Sequence, residues 1–411
     1  MAAGMLSRIR LLVVILIGSL KIGAPQNPSL VPSTTDEKHI MIQPQPLVEL
    51  FDDIIAEILL RLPPEEPFNL VRASLVCETW RRILFDSAFN HRYRKFHGSP
   101  PLLGFFHNIN LTTTPLFVST TITALPFSLP VSRPKYSRIL DSRHGRVLIS
   151  GSFGRIIVWN PITNRQKRVP EAAYTSHWEP VTGAVLCARA GCNHLVCNDG
   201  PFLVVSLGNN YTDGFMWARV YSSETNTWGT TMTITFPQFV YIEMSSSILV
   251  RETLYFIVEN GRRIVKCDLA RQCLFMTDAP GETSGIVVST EVGELGFASI
   301  EGFDLYLWSL ETGVEGRAQW TQPRVIHLKT LLSADVDVSL FSLDVIGFAE
   351  AIGTIFISTD FAVFTFELHS QRARRVGKRE TYYSIVPYTS FYTPDMLRSN
   401  RKMHHENAID L

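Results

Sequence analysis

A chain of 411 residues is too long for one small domain and long enough to bury a sizeable core, so more than one folding unit is expected. Its 38 basic and 38 acidic side chains cancel, which excludes a global field steering it to nucleic acid or to an anionic membrane surface; any partner is recognised locally. With 25 phenylalanines, 25 glycines and 23 prolines, and short Val/Ile/Phe/Tyr runs parted by Gly, Asn, Asp and Ser, the second half favours strands and turns.

At the N-terminus, Arg8 and Arg10 precede Leu11 to Leu20, "LLVVILIGSL", a run of signal-peptide length that is too short to span a bilayer. Lys21 interrupts its C-terminal side, and the best small-residue cleavage site, Ile22-Gly23-Ala24, runs into Pro25. From Pro25 to Pro46 the chain is polar and Pro-rich, a linker by composition. Residues 1–45 therefore read as an extension with three explanations: a signal or anchor, a dispensable addition to an intracellular protein, or sequence upstream of a start at Met41.

Residues 46–97 carry helical patterning. Asp52 and Asp53 suit the positive end of a helix dipole, and Ile54, Ile55, Ile58, Leu59 and Leu62 recur as one apolar stripe. Glu57 and Arg61 form an i,i+4 pair on the wet side, and Pro63-Pro64 stops the helix. Glu65, Glu66 and Pro67 start a second helix bearing Phe68, Leu70, Val71 and Leu75. Val76, Trp80, Ile83 and Leu84 make a third stripe, with Arg81 and Arg82 facing away from it and Arg92, Arg94 and Lys95 on the wet face of a following linker helix. Three helices in about fifty residues bury little by themselves, so their apolar surface either meets another protein or packs on the rest of the chain.

The run Leu50, Asp53, Ile54, Ile55, Glu57, Ile58, Leu59, Leu62, Pro63, followed by Val76, Cys77, Trp80 and Arg81, resembles the F-box, the adaptor-binding motif of ubiquitin-ligase substrate receptors. The resemblance covers the helix pattern and the Val-Cys-x-x-Trp-Arg signature. One position departs from it: F-boxes usually begin Leu-Pro, and Phe51 stands at the proline position. The continuation "HRYRKFHGSPPLLGFF" is similar to a plant family in which an F-box precedes a propeller-like associated domain. The resemblance implies docking on a Skp-type adaptor that connects to a cullin and a RING subunit, with no bond chemistry in the receptor and residence in cytoplasm or nucleus. It places Leu50, Ile54, Ile55, Ile58, Leu59, Leu62, Pro63, Leu70, Val76, Cys77 and Trp80 on or behind the adaptor surface, some of them necessarily as internal core.

From about residue 98 to 390 one phrase recurs: an alternating apolar strand, a polar turn, and a strand leaving it. It appears in "GRIIVWNPITNRQKRV", "FMWARVYSSETNTWGTT", "RIVKCDLARQCLFM", "DLYLWSLETGVEGRAQW" and "FAVFTFELHSQRARRV". Trp159, Tyr221, Cys267, Trp308 and Phe366 fall at equivalent points, spaced by roughly forty to sixty residues, near the period of a four-stranded propeller blade. Upstream strands such as "GRVLIS", "SSILVRETLYFIV", "GELGFAS" and "GTIFIST" complete hairpins, one with the turn Glu259-Asn260-Gly261. A degenerate first unit, "PLLGFFHNINLTTTPLFVSTTITALPFSLP", brings the expectation to about six blades, with a two-sheet structure as runner-up. The fold class expected is thus a multidomain α+β chain: a small three-helix F-box, an all-β propeller, and a polar tail over 391–411.

Six thinly spread cysteines argue against a disulfide framework. Cys187, Cys192, His194 and Cys197 have the composition of a zinc set, but C-x4-C-x-H-x2-C is not a usual ligand spacing; "GAVLCARAGCNHLVC" reads as two strands around a Gly turn with ordinary small thiols. No nucleophile elbow, P-loop, H-E-x-x-H or G-x-G-x-x-G occurs, so catalytic, cofactor and metal residues are expected to be none. The basic run Arg372, Arg374, Arg375, Lys378, Arg379 reads as a solvated edge strand. The rival class is a secreted or membrane-anchored propeller that binds or hydrolyses glycans, with sequons at Asn110 and Asn210.

Overall fold

The structure, a computed structural model, describes residues 52–396 apart from 109–113, 122–124, 126, 128, 131–136, 152–154, 172–179, 211–212, 237–239, 244, 313–317, 322, 333–341, 361 and 379–383. The apolar segment 11–20, Leu50, Asn110, Arg379 and His404-His405 lie outside the described residues. The chain divides into two compact units, one holding residues 52–63, 67–96 and 393–395, the other the strands.

Among the described residues α1 (Asp52–Leu60), α2 (Phe68–Ala73) and α3 (Glu78–Phe85) stand where three helices are expected, and α4 (Ser87–His97) stands where the linker helix is expected. The carboxylate of Asp86 accepts from the Phe89 amide (3.1 Å) and so caps α4, while Asn90 Nδ2 donates to the Leu84 (2.9 Å) and Asp86 (2.8 Å) carbonyls. Tyr93 Oη donates to the Leu62 carbonyl (2.8 Å), tying α4 to the end of α1. Glu57 and Arg61 form the expected i,i+4 pair (2.6 Å). Arg94 does not lie on a wet face: it is largely buried and reaches Thr393 Oγ1 (2.9 Å) and Asp395 (3.6 Å). Residues 393–395, assigned by composition to the tail, thereby join this unit.

The β unit is a six-bladed propeller. Its chain enters as β1 (Leu102–Asn108) and β2 (Leu116–Ser119), then runs through β3 (Arg138–Arg143), β4 (Arg146–Ser150), β5 (Ile156–Trp159) and β6 (Gln166–Arg168). The next blade is β7 (Pro180–Cys187), β8 (Phe202–Asn210), β9 (Phe215–Ser222) and β10 (Thr227–Trp228), with β11 (Met232–Thr235) also on β9. A fourth comprises β12 (Ile248–Val250), β13 (Thr253–Val258), β14 (Arg263–Asp268) and β15 (Cys273–Asp278). The fifth is β16 (Gly285–Ser289), β17 (Leu295–Glu301) and β18 (Asp304–Thr312), with β19 (Ala318–Trp320) and β20 (Arg324–His327) on β18; a short helix α5 (Lys329–Leu332) follows. The sixth is β21 (Asp344–Ala349), β22 (Thr354–Ser358), β23 (Ala362–Glu367) and β24 (Arg372–Lys378). Finally β25 (Ser384–Thr389) pairs antiparallel with β1, so the first sheet, β2-β1-β25, is built from both ends of the region. Six separate sheets exclude the two-sheet alternative.

The hydrophobic core lies between neighbouring blades. One cluster joins Ile257, Phe297 and Phe364 across the fourth, fifth and sixth blades, and another packs Phe105 of β1 on Phe356 of β22. A central strand flanked on both faces buries every position, as β4 and β5 do, and reads as a continuous apolar run; outer strands β6 and β24 are largely exposed. All five repeated phrases are third-to-fourth-strand hairpins. Five residues after Trp159, Tyr221, Cys267 and Phe366 stand Asn164, Asn226, Gln272 and Gln371, each left-handed (φ 53–57°). Where the aromatic has a polar handle that turn residue accepts from it: Trp159 Nε1 to Asn164 (3.1 Å) and Tyr221 Oη to Asn226 (2.7 Å). Glu259, Asn260 and Gly261 all have positive φ, as the β13–β14 turn requires.

Polar side chains join the inner strands. Asn108 of β1 exchanges two hydrogen bonds with Ile139 of β3 (both 3.0 Å), imitating a ladder pair across the blade gap. Asp141 of β3 accepts from the Val185 amide of β7 (2.8 Å) and pairs with Arg143, which also reaches Ser247 and Glu350. Burial pushes the Asp141 carboxyl above the usual carboxylate range, opposed by Arg143 and the Val185 amide.

Closure through β25 yields the first testable expectation. Ile385 and Val386 are both about 1 % exposed, on opposite faces of β25. Replacing either by Asp buries an unpaired carboxylate, at a cost of roughly 4 kcal/mol or more. Followed by circular dichroism, the whole β unit is expected to melt at lower temperature in one transition; an unchanged melting temperature overturns the role of closure.

Candidate functional site

The helical unit separates the predicted residues into core and surface. Ile55, Leu59, Leu62 and Leu70 are buried, with Leu60, Ala73, Leu84, Phe89 and Tyr93, and form the unit's own core. Ile54 (45 % exposed), Val76 (40 %), Cys77 and Pro63 lie on the surface. Ile58 and Trp80 are half-buried between the two sets. The apolar stripe of α1 is thus two stripes, because Ile54 and Ile58 lie one turn apart on a side that Ile55 and Leu59 do not share.

Val76 and Cys77 are not helical, contrary to the single stripe Val76–Leu84 expected from spacing. Past α2 the Leu75 amide bonds back to the Arg72 carbonyl (3.0 Å) and the Val76 amide to Ala73 (3.2 Å). Cys77 is then extended (φ −157°, ψ 170°) and forms the N-cap of α3 without a side-chain cap. This tight exit leaves Leu75, at 76 % exposed, outside the core too. Spacing places Leu75 on a helical stripe, whereas it lies on the surface; the cue is the Ser74 that precedes it, a residue that favours helix caps and turns over helix interiors. Ile54, Leu75 and Val76 are thus large exposed aliphatic side chains, while Arg81 and Arg82 stand exposed and pair with Glu78 (3.9 Å) and Asp52. α1 and α3 are in contact, so both contribute to one unit.

Two groups in the β unit are also brought together. Cys187, Cys192, His194 and Cys197 put their ligand atoms within 4.8 Å of one another. The second strand expected there does not form: residues 188–201 are a loop joining β7 to β8, and Cys197 alone of the four is buried. Val196 (40 % exposed) on this loop and Val292 (82 %) in the β16–β17 turn are exposed apolar residues, both in connections between the first and second strands of their blades.

The F-box domain profile matches residues 47–92, so the chain carries an F-box domain at the segment where the helices and the exposed Ile54, Leu75 and Val76 lie. No curated protein matches the chain. Among solved structures, it is similar to one described as YCF48 bound to D1 peptide, at 8% identity and TM-score 0.38 over 67% of this chain and 82% of that one. A β-propeller domain of Cps50 (Swd1) from Myceliophteria thermophila gives 12% identity and TM-score 0.38 over 68% and 84%. The extracellular domain of a putative one-component system, BT4673, from B. thetaiotaomicron gives 12% and 0.33 over 60% and 28%. Likenesses this weak bear on no function. Among the described residues no helix is long and apolar enough to cross a membrane.

The core and surface assignments are separable by stability. Leu59→Ala, at a site with no exposure, is expected to cost about 2–5 kcal/mol, whereas Ile54→Ala changes stability by about 0.5 kcal/mol or less. Urea melts of the full chain measure both; equal losses contradict the sorting.

Proposed function

We propose that this protein is the substrate-recognition subunit of a Skp-cullin-F-box ubiquitin ligase, of the plant type in which an F-box precedes a propeller-like associated domain. Its F-box domain binds a Skp-type adaptor, and through it the cullin and RING subunit; its propeller holds a target protein by loops at the blade ends. The protein carries out no bond chemistry itself and works in cytoplasm or nucleus. The observation that carries the reading is the set of exposed aliphatic residues, Ile54, Leu75 and Val76, within the segment that matches the F-box. Of the residues assigned to the adaptor surface, Ile54, Pro63, Val76 and Cys77 make contact, with Ile58 and Trp80 behind them. Ile55, Leu59, Leu62 and Leu70 act by holding the helices in place. Leu50 belongs with the contact residues on the F-box pattern.

The rival, a secreted glycan-binding or hydrolytic propeller, needs its sequons exposed. Asn210 is instead 3 % exposed and its amide donates to Asp213 (2.8 Å), which disfavours that reading for the folded chain.

Tagged full-length protein is expected to retain a Skp-type adaptor and a cullin on purification from plant cells. Ile54→Asp and Val76→Asp each should weaken adaptor binding by at least about tenfold, the equivalent of about 1.4 kcal/mol, with melting unchanged because both positions are wet. Full retention by both variants, or a mobility shift on deglycosylation of the purified chain, rejects the proposal.

A further inference from the structure

We propose that Cys187, Cys192, His194 and Cys197 form a structural zinc site that fixes the β7–β8 loop on the propeller. Their spacing fits no common zinc motif, but spacing is only a proxy for geometry. Tetrahedral zinc, with Zn–S near 2.3 Å and Zn–N near 2.1 Å, places sulfur atoms about 3.8 Å apart and sulfur and nitrogen about 3.6 Å apart. The four ligand atoms lie within 4.8 Å of one another, and His194 Nδ1 stands 3.5 Å from Cys197 Sγ. Small side-chain rotations close such a set on an ion.

The loop is shaped for this. Cys187 ends β7 opposite Phe202, and the Ala188 amide bonds to the Pro201 carbonyl (3.1 Å), closing the neck of the loop. Two left-handed residues, Gly191 (φ 62°) and His194 (φ 59°), turn the chain back so that ligands close in sequence converge. The Cys192 sulfur accepts from the His194 amide (3.4 Å), an N–H···S contact of the kind that supports a thiolate. Yet the loop has no apolar core: between Ala188 and Gly200, Cys197 alone is buried, and Leu195 and Val196 are not. A long loop without secondary structure or apolar packing needs another tie, and a metal provides one.

The surroundings fit the charge. Three thiolates and a neutral imidazole around a divalent ion carry one net negative charge. Arg146, 2 % exposed, donates to the Cys197 and Gly200 carbonyls and has a buried Nη1 with no hydrogen-bond partner among the described residues. His144, from the β3–β4 turn of the adjoining blade, stacks on the His194 ring at 3.8 Å and 11°, setting its plane. Thiolate-rich, four-coordinate ligation without an open position marks structural zinc, not a catalytic ion or a hard cation. Bound metal thereby stiffens the loop that presents Val196, which His144 and Arg146 of the adjoining blade contact.

The test uses the reduced full-length chain loaded with Zn2+ and desalted. The chain, and a Cys77→Ser control outside the set, should each retain about one zinc per molecule, and Cys192→Ser below about a tenth of that. Co2+ should give the thiolate charge-transfer and ligand-field bands of four-coordinate cobalt. Chelation should speed trypsin cleavage after the exposed Arg189 of wild type, a local readout that stands even where the variant folds poorly. Zinc-free wild type after loading, equal zinc in Cys192→Ser, six-coordinate cobalt bands, or a disulfide within the set after purification under reducing conditions each overturns the site.

Discussion

The antiparallel pairing of β25 with β1 is the constraint on which the rest of the propeller depends. Each blade buries its two faces against its neighbours, so no blade can hide its apolar surface alone, and a ring with one missing contact exposes two faces at once. The chain completes its first blade with its last strand, which makes covalently distant segments mutually dependent. Phe106 of β1 meets Tyr388 of β25 at 6.0 Å and Trp159 of the next blade at 6.1 Å, so closure and the first blade gap share one aromatic cluster. Gly104 marks how tight this is: a Cβ there would collide with the Phe117 ring and the Val118 carbonyl of β2. The pairing shifts register between Leu102 and Gly104, where the strand bends to reach both partners.

Within the closed ring, polar groups supply what apolar packing lacks, namely register. Apolar faces slide over one another at little cost, whereas Asn108 accepts and donates at a single backbone position of β3 and Asp141 at a single amide of β7. Arg143 then reaches Ser247 before β12 and Glu350 after β21, so one guanidinium touches segments from three blades. A buried pair of this kind adds little net stability, because both charges lose water. Its effect is on specificity: a slip of this blade against its neighbours parts Asp141 from the Val185 amide and Arg143 from Ser247 and Glu350. The helical unit uses the same device on a smaller scale, where Tyr93 and Asn90 fix the ends of α1 and α3 by binding the carbonyls of Leu62 and Leu84.

Much of this was legible in the sequence, and the limits have physical causes. Trp159, Tyr221, Cys267 and Phe366 mark equivalent third strands because a hairpin with a left-handed turn residue repeats a local pattern, and local patterns survive in one dimension; Trp308 also lies on a third strand, β18. The partner of β1 was not legible, since nothing in "SIVPYT" distinguishes a closing strand from any other edge. In the helical unit the periodicity located the helices, but Ile54 and Ile55 are chemically identical and only their angle about α1 separates surface from core. Val76 was read into a helix because it fits the spacing of Trp80, Ile83 and Leu84, while the extended Cys77 between them breaks the geometry that the spacing assumes.

The cysteine loop shows the same limit from the other side. Ligand spacing rules summarise the loops in which metal sites usually occur, and they say nothing of side chains that another chain path brings together. Cys187 and Cys197 are separated by the whole loop, yet a strand end, a glycine and a left-handed histidine return the chain to its origin. The sequence contains each of those elements, but their sum is a three-dimensional closure that depends on β8 returning beside β7 and on His144 arriving from another blade. Composition groups these four residues, whereas linear spacing matches them to no common motif. The decisive quantity was the distance between side-chain atoms, which is set by the propeller and not by the segment itself.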